Sequence, residues 1–213
     1  YVVTVRETFY ESDILLTPYS EAETIDAKAL GAFIEKQYEY AQVDPDEIDT
    51  GALILTGVAV RRSNARAIGE LFARQAGKMV AVSAGDSLET TMAAFGSGAV
   101  ARSVRDNATV MNVDVGGGTA KIAICADGRV VDLTAIDIGA RLVCFDADGR
   151  ITRLEEAGRR FGRELGLVLD IGVTITEDQV RALVDRMADC LFAAMQGGSP
   201  QLGGVSLLRL DQL

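Results

Sequence analysis

The sequence predicts an α/β fold, and three stretches of the chain support this prediction. Residues 52–104 alternate short apolar strands with helical patterns, which is typical of a parallel sheet covered by helices. Residues 109–135 form three alternating runs, the last two joined by an Asp-Gly turn that favours a hairpin. Residues 178–194 carry apolar side chains at helical spacing. We therefore expect mixed sheets flanked by helices.

The first half of the chain is expected to hold strands and helices in alternation. In order, these are one or two strands within residues 1–20, a helix at 25–40, a strand at 52–56, a helix at 63–75, a strand at 79–82 and a helix at 88–104. Ser20 or Thr24 is the expected N-cap of the first helix. The strand at 52–56 is continuously apolar, which indicates burial on both faces in a parallel sheet.

The second half is expected to begin with a three-stranded antiparallel meander at residues 109–135. A second pair of strands, 143–146 and 150–154, and a short helix at 155–164 follow. Thr176 caps the predicted helix at 178–194. Its inward side is expected to hold Val180, Leu183, Val184, Met187, Leu191 and Phe192.

The composition of the 213-residue chain excludes several functions. A net charge of −10 argues against nucleic acid as a partner, because phosphate binding needs a basic surface. No histidine is present, which removes histidine acid–base chemistry and most zinc sites. The three cysteines are widely separated and are expected to be reduced thiols. No apolar run has the length of a membrane span, so no membrane is expected as a partner.

The most informative stretch is residues 112–125, which read NVDVGGGTAKIAIC. Three glycines between two strand patterns let the backbone adopt positive φ and leave no Cβ in the way, so that several N–H groups can point to one anion. Asp114 precedes the first glycine by two residues, and a carboxylate there could hold Mg²⁺ beside a phosphate. The alternative is a tight hairpin that binds nothing.

Two common phosphate-binding motifs do not fit this turn. A P-loop requires the spacing G-x-x-x-x-G-K-[ST] between a strand and a helix, and the chain lacks it. A Rossmann turn opens a helix, whereas residues 120–124 alternate as a strand. A β-hairpin whose turn binds phosphate remains.

The strand, D-x-G-G-G-T, strand pattern resembles the second phosphate motif of the actin, Hsp70 and sugar-kinase ATPase superfamily. Residues 53–66, 89–94 and 137–142 resemble further segments of the same superfamily. The resemblance implies actin-like ATPase lobes of ribonuclease H-like fold, with ATP and Mg²⁺ as cofactors. It divides the chain into the remainder of a first lobe, residues 1–107, and the start of a second lobe, residues 108–213.

A narrower resemblance is to the family of ethanolamine ammonia-lyase reactivating factors. It rests on Arg6-Glu7 with Leu16-Thr17-Pro18, Leu55-Thr56-Gly57, Asn64-Ala65-Arg66, Val82-Ser83-Ala84-Gly85, Leu88-Glu89, residues 112–119 and Gly139-Ala140-Arg141-Leu142. It implies an ATP-dependent chaperone that releases damaged cobalamin from ethanolamine ammonia-lyase, in the cytoplasm or in a bacterial microcompartment. A small-molecule kinase and an actin-like scaffold of the same superfamily are the alternatives.

The resemblance also assigns roles to residues. The expected nucleotide-binding residues are Gly116, Gly117, Gly118, Thr119 and Gly139. Asp114 is expected to hold Mg²⁺ or to orient the attacking water, and Glu89 to reach the metal shell. Glu89 could instead be an ordinary acid in the first turn of a helix.

The chain departs from the superfamily pattern in several places. The first phosphate motif and the adenosine-binding segment are absent, so we expect a fragment of a longer chain. Lys121 stands where Hsp70-like chains often place an acid, and Ala140 replaces one glycine of a Gly-Gly pair. These departures leave open whether the chain as given hydrolyses ATP and whether it forms a homo-oligomer.

Overall fold

The structure is a computed structural model that describes residues 5, 7–18, 24–55 and 79–213. The chain forms two compact units, which divide between Ser83 and Ala84. The sequence predicts a different division, between two lobes at residues 107 and 108. That lobe boundary stays a prediction.

The first unit begins differently from the prediction. Residues 7–18 form neither helix nor strand, so the strands expected there are wrong for this range. Phe9 and Ile14 are 80% and 91% exposed, and a strand forms only where a second strand accepts its backbone hydrogen bonds. Helix α1, Ala27–Ala41, is confirmed, but its N-cap is Asp26. The Asp26 carboxylate accepts hydrogen bonds from two backbone amides of the first turn, at 3.0 and 2.9 Å.

The rest of the first unit contains the predicted parallel pair of strands. A 3₁₀-helix, Pro45–Glu47, precedes strand β1, Gly51–Leu55. Strand β2, Met79–Ser83, pairs with β1 in parallel along its whole length. The helix predicted at 63–75 lies outside the described residues.

The second unit is built on the predicted meander, which is confirmed. Strands β3, Val110–Val115, β4, Ala120–Ala126, and β5, Arg129–Ile136, form one antiparallel sheet in this order. Asp127 and Gly128 join β4 to β5 with φ angles of 51° and 76°, the conformation that favours Asp-Gly in tight hairpins.

Two helices cover one face of this sheet. Helices α2, Asp86–Gly96, and α3, Ala99–Arg105, replace the single helix predicted at 88–104. Gly98 separates them with a φ of 81°, which ends one helix and leads into the next. Ala94 and Val100 pack there with Ala123 of β4 in a small apolar core.

The opposite face of the sheet supports the larger core. Ile122 and Ile136 point to this side, because neighbouring residues of a strand alternate between faces. The elements packed there include strands β6, Val143–Phe145, and β7, Ile151–Leu154, and helices α4, Glu156–Glu164, and α5, Glu177–Met195. A short hairpin of β8, Gln201–Leu202, and β9, Val205–Ser206, follows.

Helix α5 begins as predicted, at the cap residue Thr176, which forms a capping box with Gln179. Its buried side runs through Leu183, Cys190 and Ala194. Val184 and Phe192, predicted to point inward, are 57% and 56% exposed, because the buried stripe is narrower than the apolar pattern. None of the described helices is long and apolar enough to cross a membrane.

The hydroxyl of Thr134 is buried in β5 without a hydrogen-bond partner among the described residues. Thr134→Val keeps the shape and removes the unsatisfied group, so we expect the free energy of unfolding to rise by about 1 kcal/mol. Urea unfolding measures this. The control is Thr119→Val, which deletes a 2.6 Å bond from Lys121 and should lower the same quantity by about 2 kcal/mol. A loss of stability in Thr134→Val would contradict the assignment.

Burial raises the pKa of the Cys125 and Cys190 thiols above the ordinary value of 9.0. Both thiols stay protonated in the folded chain at a pH where the unfolded chain has lost the protons. Their stabilising contribution is therefore complete below pH 9 and is lost as the pH rises through their folded pKa values. We expect a Cys125→Ala, Cys190→Ala variant to lose less unfolding free energy than the wild type between pH 8 and 10. Equal losses would contradict this expectation.

Candidate functional site

The predicted phosphate turn joins β3 to β4. The amide of Gly116 donates to the carbonyl of Thr119 at 3.0 Å and closes the turn. None of the three glycines has a positive φ, so that part of the expectation is wrong. The absence of a Cβ matters at Gly116, where a methyl group would lie 3.1 Å from the Thr119 carbonyl oxygen.

The segment after β5 fixes the orientation of the turn. The amides of Ala140 and Arg141 donate to the carbonyls of Gly116 and Gly117, at 2.9 and 2.8 Å. In a trans peptide the N–H group points away from the C=O group. The N–H groups of Gly117 and Gly118 must therefore face away from this segment.

Three consecutive amides of the turn are free to bind a ligand. Those of Gly117, Gly118 and Thr119 donate to no acceptor among the residues that the structure describes. Adjacent free N–H groups on a turn can together bind an anion. The turn therefore has unused donors, and their binding of phosphate stays a prediction.

Gly139 supports the turn from behind. A methyl group on Gly139 would lie 2.4 Å from the Gly117 carbonyl oxygen and 2.6 Å from the Gly118 nitrogen. A Cβ atom essentially never lies within 3.0 Å of a nonbonded atom, so this close approach requires glycine. The structure therefore places Gly139 on the carbonyl side of the turn, whereas its expected role toward nucleotide stays a prediction.

Lys121 occupies the space between the turn and helix α2. Its side chain is only 2% exposed, and its Nζ lies 2.7 Å from Glu89 Oε1 and 2.6 Å from Thr119 Oγ1. The register of β3 and β4 pairs Lys121 with Asp114, and opposite residues share one face of the sheet. The structure thus brings Glu89 and Thr119 to Lys121, with Asp114 opposite this lysine on the neighbouring strand.

The two predicted carboxylates differ in their surroundings. Asp114 is half-buried, and among the described residues its side chain forms no hydrogen bond or ion pair. Glu89 is paired with Lys121 through one oxygen, while its other oxygen, Oε2, is buried without a partner. Nearby on the same sheet face, the side-chain nitrogen of Asn112 is also buried and unpartnered. Unsatisfied polar atoms at one end of a sheet are typical of a site that a ligand completes.

Three ion pairs of this region, formed by Lys121 and Arg209, were missed by sequence reasoning. The Lys121–Glu89 pair had a signal, because a lysine inside a buried strand needs an acid nearby. Arg209 had none: it binds Asp86 at 2.8 Å and Asp137 at 3.2 Å, and so ties the start of α2 to the end of β5. These pairs hold the helix that carries Glu89 against the strands of the turn.

The fold is of the actin-like type that the sequence predicts. The crystal structure of an exopolyphosphatase-like protein aligns with 81% of this chain and 48% of its own chain, with a TM-score of 0.50 and 19% identity. At this identity the likeness shows the fold alone.

A family model described as "Ethanolamine utilisation protein EutA" matches residues 1–208, and the chain belongs to this family. It is 29% identical to the ethanolamine ammonia-lyase reactivase EutA of Escherichia coli K12 and 30% identical to that of Salmonella typhimurium LT2. Each alignment covers 90% of this chain and 41% of the relative, so the chain spans about two fifths of the curated relatives' length.

Proposed function

We propose that this chain provides half of an ATP site in a protein that reactivates ethanolamine ammonia-lyase. The observation that carries the proposal is the row of free amides at Gly117, Gly118 and Thr119. The names of the two curated relatives support the lyase as the partner. The ATP-driven step would release damaged cobalamin from the lyase, in the bacterial cytoplasm or within a microcompartment.

The chain's own residues divide the work at the phosphates. The three amides would bind phosphate oxygens, while the backbone bonds from Ala140 and Arg141 keep the turn from reorganising. The Thr119 hydroxyl accepts from Lys121, so its own proton remains available for a phosphate oxygen. Fixed donors of this kind cost no reorganisation when charge develops in the reaction.

The two carboxylates of the site, Asp114 and Glu89, suit a Mg²⁺ ion that takes its remaining ligands from phosphate and water. Among the described residues no group of three or more acidic or cysteine side chains could hold a metal ion alone. Mg²⁺ in nucleotide sites commonly uses one or two carboxylates with phosphates and waters. Asp114, whose side chain is uncommitted, would be the principal ligand or would orient the attacking water, and the free oxygen of Glu89 would act through water. When bound, Mg²⁺ would neutralise charge on the transferred phosphoryl group.

The function is tested with the full-length protein and lyase that has been inactivated with cyanocobalamin. We expect lyase activity to return only when ATP and Mg²⁺ are both present, without a phosphorylated product. Failure to restore activity, together with phosphorylation of a small metabolite, would overturn the proposal and favour the kinase.

Asp114→Asn tests the role of the carboxylate. We expect ATP hydrolysis to fall at least tenfold, because the metal or the water loses its anionic partner. Thermal unfolding should be unchanged, since the Asp114 side chain makes no ion pair in the described structure. The matched control is Asp127→Asn at the opposite end of the hairpin, where asparagine also suits the turn. Hydrolysis by Asp114→Asn at the wild-type rate would contradict the role.

A further inference from the structure

The side chain of Arg141 lies across the glycine turn. A methyl group on Gly117 would be 3.8 Å from both Cβ and Cδ of Arg141, so the aliphatic stem passes over this glycine. The Arg141 amide is also fixed, since it donates to the Gly117 carbonyl at 2.8 Å. The backbone and the aliphatic stem together anchor Arg141 beside the turn.

The guanidinium has no partner among the residues that the structure describes. Arg141 is exposed, and its side chain forms no ion pair or hydrogen bond with a described residue. Most arginines of the second unit behave differently, because each of the following pairs with a carboxylate: Arg102, Arg105, Arg153, Arg159, Arg163, Arg186 and Arg209. An uncommitted arginine beside the glycine turn, in a chain of net charge −10, is a free positive charge next to the place where an anion would bind.

The other cation at the turn cannot supply this charge. Lys121 is buried and already neutralised by Glu89 at 2.7 Å. Asp114 adds a negative charge on the same face of the sheet. The side chains near the amides therefore carry a net negative charge without Arg141, which would repel a polyphosphate.

From this geometry we propose that Arg141 binds the terminal phosphoryl group of a polyphosphate ligand held by the amides of Gly117, Gly118 and Thr119. The planar guanidinium can donate two parallel hydrogen bonds to two oxygens of one phosphoryl group. Because the Arg141 side chain is exposed, its guanidinium can reach the terminal phosphoryl group. Lys121 is buried and does not reach that end of the ligand. The assignment of ATP as this ligand rests on the proposed function.

The test measures binding of Mg-ATP, Mg-ADP and inorganic tripolyphosphate to the full-length protein by calorimetry. We expect Arg141→Gln to weaken binding of ATP and tripolyphosphate by about tenfold to a hundredfold, the range for lost charge-assisted hydrogen bonds. Arg141→Lys should restore part of the loss, because it keeps the charge without the fork. Arg129→Gln is the matched control, since Arg129 is another exposed, unpaired arginine of the described structure and lies at the other end of the hairpin. The melting temperature of all three variants should equal that of the wild type.

The outcomes separate this inference from the proposed function. If the wild type binds ATP and Arg141→Gln binds it equally well, the inference is overturned and the ATP site stands. Binding of tripolyphosphate but not ATP, weakened by Arg141→Gln, would support the inference and overturn the nucleotide assignment. Binding of neither by the wild type would overturn both.

Discussion

Gly139→Ala is expected to disrupt the phosphate turn and to lower the free energy of unfolding by about 3 kcal/mol. The added Cβ would meet the Gly117 carbonyl oxygen at 2.4 Å and its carbon at 2.5 Å. These are backbone atoms, which cannot swing away as a flexible side chain could. Either the turn or the segment behind it must move, and the hydrogen bonds from Ala140 and Arg141 would weaken with it.

Two measurements test this expectation. Urea unfolding measures the free energy of unfolding. Calorimetric titration with Mg-ATP measures the affinity that the amides of Gly117, Gly118 and Thr119 would provide. The control is Gly96→Ala, the same substitution in helix α2 where the added Cβ meets nothing within 4 Å. It should leave ATP binding unchanged and raise the free energy of unfolding by about 0.5 kcal/mol. Wild-type stability and affinity in Gly139→Ala would show that the close approach is not required.

Local chemistry explains what could be predicted from the sequence. The Asp127-Gly128 turn needs two positive φ angles, which few residue pairs tolerate, so the pair identifies the hairpin. Thr176 and Gln179 form a capping box that marks the start of α5. The glycine turn was recognised because three glycines follow a strand that carries Asp114. Each signal acts over only a few residues.

The features that were missed depend on the environment of a residue. Asp26 caps α1 because the helical backbone begins at Ala27, although Thr24 is also a residue type that caps helices. A helix can tolerate an internal glycine, so the sequence does not show that the helix ends before Gly98. The reason is the packing of α3 on the sheet as a separate helix. Gly139 must be glycine because it approaches the backbone of Gly117 and Gly118, a contact between positions more than 20 residues apart. Arg209 finds Asp86 across 123 residues, for which no local pattern exists.

Lys121→Met is expected to be the most destabilising substitution, with a loss of about 3–5 kcal/mol in the free energy of unfolding. Lys121 is 2% exposed, and Glu89 is 15% exposed. Removing the lysine leaves a mostly buried carboxylate without a counter-charge, while its second oxygen already lacks a partner. The cost therefore comes mainly from the stranded charge of Glu89, not from the lost attraction.

A double-mutant cycle separates these two contributions. If the stranded charge dominates, then Lys121→Met combined with Glu89→Met should be more stable than Lys121→Met alone, because well-packed apolar side chains can replace a buried ion pair. Arg102→Met, which breaks an exposed pair with Asp106, is the control and should have no measurable effect. If Lys121→Met costs less than about 1 kcal/mol, the pair is solvated in solution and the site is more open than the structure shows. If the double variant recovers stability but not ATP binding, the pair also acts at the site, either through the free oxygen of Glu89 or through the 2.6 Å bond by which Lys121 holds Thr119.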